Sequence, residues 1–179
     1  MSTPSPQQLS QELRQGDSPD LTRRRWILGL SLFGTAMGQI VSLYQTGIIN
    51  HLPDPPPHGL FDADKVDAST YAYKRLATPD ALLMVVSYGL TAALAGAGGA
   101  NRAAESPLLP VAMGAKTVFD TATAVQLGRE EWQENKALCA YCQLATVASI
   151  ASVVLAFPEV LKAAKGLFGR RQGTASARA

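Results

Sequence analysis

A chain of 179 residues has the length of a single domain, and a formal net charge of +2 is too small to suggest a nucleic-acid partner. The 47% of hydrophobic residues fall in long blocks free of charge, with Lys, Arg, Asp and Glu crowded between them. Blocks of that kind need a solvent other than water, and they predict an all-α, polytopic membrane protein lying in a lipid bilayer.

The leader, residues 1–22, is rich in Ser, Pro and Gln, cannot bury a core, and is expected to be disordered. About 20 mostly apolar residues are needed to cross the hydrocarbon core. The first such stretch, residues 26–49, follows Arg23-Arg24-Arg25 and reads as a retained anchor, since a cleaved signal would be shorter and would not follow a polar leader. Gly34 and Gly38 in it suit close helix packing, and Trp26, Tyr44 and Trp132 read as anchors at the membrane surface. After a long Pro-rich loop, a second stretch covers 79–100. The third, 108–127, contains Lys116 and Asp120, four residues apart and so on one face. Ionisable groups inside a span raise the suspicion of function, while their spacing equally suits a salt bridge that makes the helix tolerable in lipid. A short loop with Glu130, Glu131 and Glu134 leads to the fourth stretch, 137–157, limited by Pro158. The expected organisation is a four-transmembrane-helix bundle over residues 23–169, followed by a disordered tail, 170–179.

Orientation follows from basic residues at the span ends. Arg14, Arg23 to Arg25, Arg102, Lys162, Lys165, Arg170 and Arg171 share one side, which is expected to be cytoplasmic and to hold both termini. The long loop and the Glu-rich loop then face the outside.

The two cysteines of the chain form Cys139-Ala140-Tyr141-Cys142, one helical turn apart at the start of the fourth stretch. The spacing lets two sulfurs meet, a helix N-terminus stabilises a thiolate, and the outer side is an oxidising compartment. The alternative is that both act as small hydrophobes in a membrane helix. A zinc site wants four ligands and no second Cys pair exists, so no metal is expected; His51 and His58 read as solvated loop residues.

Three motifs in order carry a resemblance across roughly Trp26 to Phe157: Phe61-Asp62-Ala63-Asp64-Lys65-Val66-Asp67-Ala68-Ser69, Pro79-Asp80-Ala81-Leu82-Leu83 leading to Tyr88, and the Cys-x-x-Cys. Together they resemble the vitamin K epoxide reductases and their bacterial quinone-linked relatives. The resemblance implies four helices around a quinone of the ubiquinone or menaquinone type, in the cell (inner) membrane. It implies Cys142 as the sulfur facing the quinone and Cys139 as the outer sulfur that exchanges disulfides. Asp80, Tyr88 and Thr146 fall at positions implied to lie around the cofactor, Thr146 standing where the family has a tyrosine. Asp80 is also readable as a helix cap beside Pro79.

The departures are as informative. The family's loop cysteines are replaced by Phe61 and Ala68, so no internal relay connects a soluble partner to Cys139. A thioredoxin-like thiol protein would have to attack Cys139 directly, and its position one turn nearer the water favours that access. The leading expectation is therefore a quinone-linked thiol–disulfide oxidoreductase. The alternative is a non-enzymatic quinone-binding or scaffold protein of the same fold, and a transporter is disfavoured because no inverted repeat is evident.

Overall fold

The computed structural model describes residues 5–56 and 59–176, with side chains through residue 167. Its helices are α1 (Pro6–Gln15), α2 (Pro19–Gln45), α3 (Ala63–Asp67), α4 (Asp80–Gly96), α5 (Arg102–Glu105), α6 (Leu108–Asn135) and α7 (Ala140–Ser176), with a 3-10 turn at Thr70–Tyr73. Among the described residues the protein is all-α, apart from one isolated parallel bridge between Phe61 and Leu138.

Each long helix buries one stripe at the three-to-four-residue spacing of a single helix face. On α2 the stripe is Arg24, Ile27, Ser31, Gly34, Gly38, Val41 and Gln45. On α4 it is Ala81, Tyr88, Thr91 and Ala95, and on α6 it includes Met113, Thr117, Asp120 and Glu131. These stripes are rich in small and polar residues. The outer faces carry Leu32, Phe33, Val86, Leu90, Phe119, Val154 and Phe157, all exposed. Polar groups inside and large apolar groups outside invert the arrangement of a water-soluble bundle and suit a surround of lipid. Two helices, Pro19–Gln45 and Ala140–Leu167, are long and apolar enough to cross a membrane; Asp80–Gly96 is apolar but shorter.

Helix α2 packs along both α4 and α7, α7 packs along α6, and α4 meets α6 far less closely. The bundle therefore runs in the order α4, α2, α7, α6, with its loosest seam between α4 and α6. Glycine makes the tight α2–α4 crossing possible: a Cβ on Gly34 would stand 2.6 Å from the Tyr88 ring, and one on Gly38 would stand 3.2 Å from the Ala81 carbonyl oxygen.

Two arginines close the far end of α4. Its last carbonyls have no partner within the helix. Arg24 donates to the carbonyl oxygens of Ala95, Ala97, Gly98 and Gly99 at 2.8–2.9 Å. Arg102 donates to those of Leu94 and Ala97 and forms a two-pronged pair with Glu159 at 2.8 and 2.9 Å. Both arginines are buried, so two of the charges read as topological flanks also hold helices together.

Several expected boundaries move. The leader expected to be disordered holds α1, whose start is a reciprocal capping box: Ser5 Oγ accepts the Gln8 N–H and Gln8 Oε1 accepts the Ser5 N–H. Ser18 caps α2 ahead of Pro19, so that helix begins before Trp26. Residues 1–4 of the leader lie outside the described residues. Helix α6 continues past residue 127 to Asn135 and stops at Lys136, whose φ of 53° is left-handed. Helix α7 passes through Pro158 to Ser176, held on both sides of the proline by buried Ala156, Glu159 and Ala163. Of the tail expected to be disordered, residues 170–176 are helical, and 177–179 lie outside the described residues.

Candidate redox site

The loop between α2 and α4 folds over the start of α7. Leu138 donates its N–H to the Leu60 carbonyl at 3.0 Å and accepts the Asp62 N–H at 3.1 Å. Asp62 then caps α3 through the Lys65 N–H. Three tyrosine hydroxyls pin the loop: Tyr44 to the Asp64 carbonyl, Tyr71 to the Leu127 carbonyl and Tyr73 to the Gln45 carbonyl. Leu52, Ala63, Val66, Tyr71 and Ala72 form an apolar cluster with Cys139 beneath it.

Cys139 is consequently 0% exposed. This corrects the expectation that its place one turn nearer the water leaves it accessible, because the loop takes the position that water would occupy. Cys139 directly precedes α7, and its sulfur accepts the Cys142 N–H at 3.3 Å, as a capping side chain does. Both cysteines are free thiols.

Three polar side chains from three elements surround the pair. Glu131, in the last turn of α6, accepts the Cys139 N–H at 3.3 Å and the Gln143 amide at 3.2 Å. Asp67, at the end of α3, has its carboxylate within 4.8 Å of both sulfurs. Gln45, at the end of α2, donates to Asp67 at 3.3 Å and to Asp80 at 2.8 Å, and accepts the Ala81 N–H. Burial pushes the Asp67 carboxyl up to about 7, with the negative charges of Asp80 and Glu131 adding to it and the Cys139 thiol and Gln45 opposing.

The loose seam between α4 and α6 opens into a cavity of about 260 Å³. Leu83, Met84, Phe119, Leu127 and Ala145 give it apolar walls, Arg75, Asp80 and Glu131 lie at one end, and Ser87 and Asp120 lie further along α4 and α6. Asp80, Tyr88, Cys142 and Thr146 all line it. Cys139 does not.

The roles of these side chains differ from their positions. Asp80 makes no cap, since Pro79 holds the cap position; its carboxylate accepts from Gln45 and stands 3.8 Å from Arg75. The Tyr88 hydroxyl is bound to the Ala145 carbonyl at 2.6 Å and to Ser149 at 2.7 Å, so Tyr88 offers the cavity its ring. The Thr146 hydroxyl donates back to the Cys142 carbonyl at 2.8 Å. Arg75 Nη1 is buried without a hydrogen-bond partner among the described residues.

Lys116 and Asp120 form the expected ion pair, and they form more than that. Asp120 accepts from Ser87 and Thr91 at 2.7 Å each, and Lys116 donates to the Ser87 carbonyl at 3.1 Å, so the pair ties α6 to α4 beside the cavity. His51 pairs with Asp64 at 2.5 Å in the exposed loop, and His58 lies outside the described residues. Asp67, Cys139 and Cys142 bring three metal-capable atoms together, one short of a tetrahedral set.

Arg75, Gln45, Asp67 and Glu131 are functional candidates that sequence reasoning passes over. Two of them had a signal. Gln45 continues the Gly34, Gly38 face, and Glu131 follows Ala124 and Leu127 at helical spacing. Asp67 had none, because its place depends on how the loop folds.

A model of the vitamin K epoxide reductase family matches residues 25–157. The chain belongs to this family. Neither a curated protein nor a solved structure gives a match. Family membership makes it a membrane-integral protein of a class that couples thiol oxidation and reduction to quinones, and the Cys139-x-x-Cys142 pair lies inside the matched range.

Proposed function

We propose that the protein is a quinone-linked thiol–disulfide oxidoreductase of the cell membrane, with Cys139 and Cys142 as its redox pair and α2, α4, α6 and α7 as four crossings. The observation that carries this reading is the cavity in the α4–α6 seam, apolar along its walls, with Cys142 on its surface. Its volume of about 260 Å³ is enough for a quinone ring whose isoprenoid tail remains in lipid. Arg75 Nη1, 3.8 Å from the Asp80 carboxylate and without a hydrogen-bond partner among the described residues, supplies a donor for a quinone oxygen. Electrons pass between the quinone and Cys142, and Cys139 is the neighbouring sulfur that closes or opens the disulfide.

The replacement of the loop cysteines by Phe61 and Ala68 favours the second reading, a quinone-binding protein without redox turnover. A thioredoxin-like partner would reach Cys139 only with the loop displaced. One experiment separates the two. The protein is reduced in native membranes, a short-chain ubiquinone is added, and free thiols are counted by maleimide–polyethylene glycol mass shift. Paired loss of both thiols on quinone addition is the expected result, with Cys142→Ser capturing a partner through Cys139. Thiols that persist with quinone present, and no mixed disulfide in either single variant, would leave the non-enzymatic reading.

A further inference from the structure

Oxidation of a dithiol by a quinone moves two electrons and two protons: both S–H bonds are lost, one S–S bond forms, and the quinone becomes a hydroquinone. Cys142 borders the cavity, so its proton has a route to the quinone side. Cys139 does not. It is fully buried under the loop, away from both the cavity and water, and its proton needs an acceptor inside the protein.

We infer that Asp67 is that acceptor, a catalytic carboxylate that takes the Cys139 proton as the disulfide closes and returns it when the disulfide is reduced. This rests on the redox reading of the site. Asp67 is 2% exposed, and its carboxylate lies within 4.8 Å of both sulfurs. Oδ1 is occupied by Gln45, while Oδ2 is buried with no hydrogen-bond partner among the described residues. An orphaned carboxylate oxygen is costly to bury, and here it stands beside the thiol that must lose a proton. Glu131 accepts the Cys139 N–H and the Gln143 amide through Oε2 and hydrogen-bonds the Cys142 side chain, so it serves the cavity side of the pair rather than the Cys139 thiol.

The step balances. Cys139 gives its proton to Asp67 and Cys142 gives its proton toward the quinone. The S–S bond forms, and the two electrons that the pair of sulfurs gives up in forming it reduce the quinone. Asp67 then releases its proton to water as the loop relaxes, and the hydroquinone takes its second proton from water.

Facing Asp67 are Cys139 just before α7 and Cys142 in its first turn, Glu131 from α6, Asp80 from α4, Tyr44 from α2 and Tyr73 from the 3-10 turn, with Asp64 and Lys65 on α3 itself. All of the side chains reaching it from the other elements are neutral or acidic. An acceptor must be ionised, so the rate should rise as pH passes through the Asp67 transition at about 7 and then level off.

The test uses the full chain in lipid vesicles and compares wild type, Asp67→Asn and Asp67→Glu between about pH 5 and about pH 9, a range that brackets the transition. Loss of free thiols is followed with two oxidants, a short-chain ubiquinone and diamide, the latter closing the disulfide without any quinone. Asp67→Asn should be slower by about tenfold or more with both oxidants at neutral pH. Its rate should keep climbing with pH where the wild type levels off, and Asp67→Glu should restore a plateau. Equal rates and equal pH profiles for wild type and Asp67→Asn would overturn the assignment. If Asp67→Asn does not accumulate, Asp67→Ser decides: a slower rate that keeps climbing with pH supports the role, and a wild-type rate and profile removes it. A wild type that responds to diamide in an Asp67-dependent way but ignores the quinone would keep Asp67 as proton acceptor and sink the quinone reading alone.

Discussion

Gly34 is the position where one methyl group should do the most damage. In Gly34→Ala the new Cβ stands 2.6, 2.7 and 2.8 Å from Cε1, Cδ1 and Cζ of Tyr88. Carbon atoms prefer about 3.5–4.0 Å, so the ring must move by about 1 Å. It has little freedom, because its hydroxyl is held by the Ala145 carbonyl at 2.6 Å and Ser149 at 2.7 Å. Each hydrogen bond lost costs about 1 kcal/mol, overpacking adds about 1–3 kcal/mol, and the helix preference of Ala over Gly returns about 1 kcal/mol. The net destabilisation is about 2–4 kcal/mol, or a melting shift of roughly 4–16 °C for a chain of this size. The ring also moves on the wall it shares with Cys142, so quinone-dependent thiol loss should slow. Melting can be followed with a fluorogenic maleimide, since Cys139 is shielded until the bundle opens. Gly29→Ala, in the same helix with nothing within 4 Å of its new Cβ, is the control and should be neutral or slightly stabilising. Equal melting of the Gly34 and Gly29 variants would refute the packing argument.

Two further expectations can be checked with the same protein. Arg102→Leu and Glu159→Leu should each cost about 3–5 kcal/mol, because either leaves a buried charge uncompensated. The double variant should lose less than the sum of the two, and strict additivity in a double-mutant cycle of melting temperatures would count against the pair. For orientation, Lys65→Cys and Asn101→Cys place thiols at exposed positions at opposite ends of the bundle. An impermeant maleimide should label Lys65→Cys on intact cells and Asn101→Cys only after lysis; the reverse pattern would turn the protein over in the membrane.

How much of this was legible beforehand follows from the range of each interaction. Periodicity along one chain segment is local, so the apolar blocks, the Gly34 and Gly38 face, the Lys116–Asp120 pair and the Cys139–Cys142 spacing were readable from sequence alone. So were Ser5 and Ser18 as caps, although the polar composition of the leader argued the other way and compositional reasoning missed α1. The order of motifs was enough to point to the family. Tertiary structure alone decided which faces meet. It rotated Gln45 toward Asp67 and Asp80, extended α6 so that Glu131 reaches the turn before α7, and gave the flanking charges Arg24 and Arg102 a second part as caps of α4. It also laid the loop over Cys139, reversing its expected accessibility. Those outcomes depend on contacts between residues tens of positions apart, on helix rotation and on the path of a loop with no periodicity, none of which leaves a pattern in the spacing of neighbouring residues.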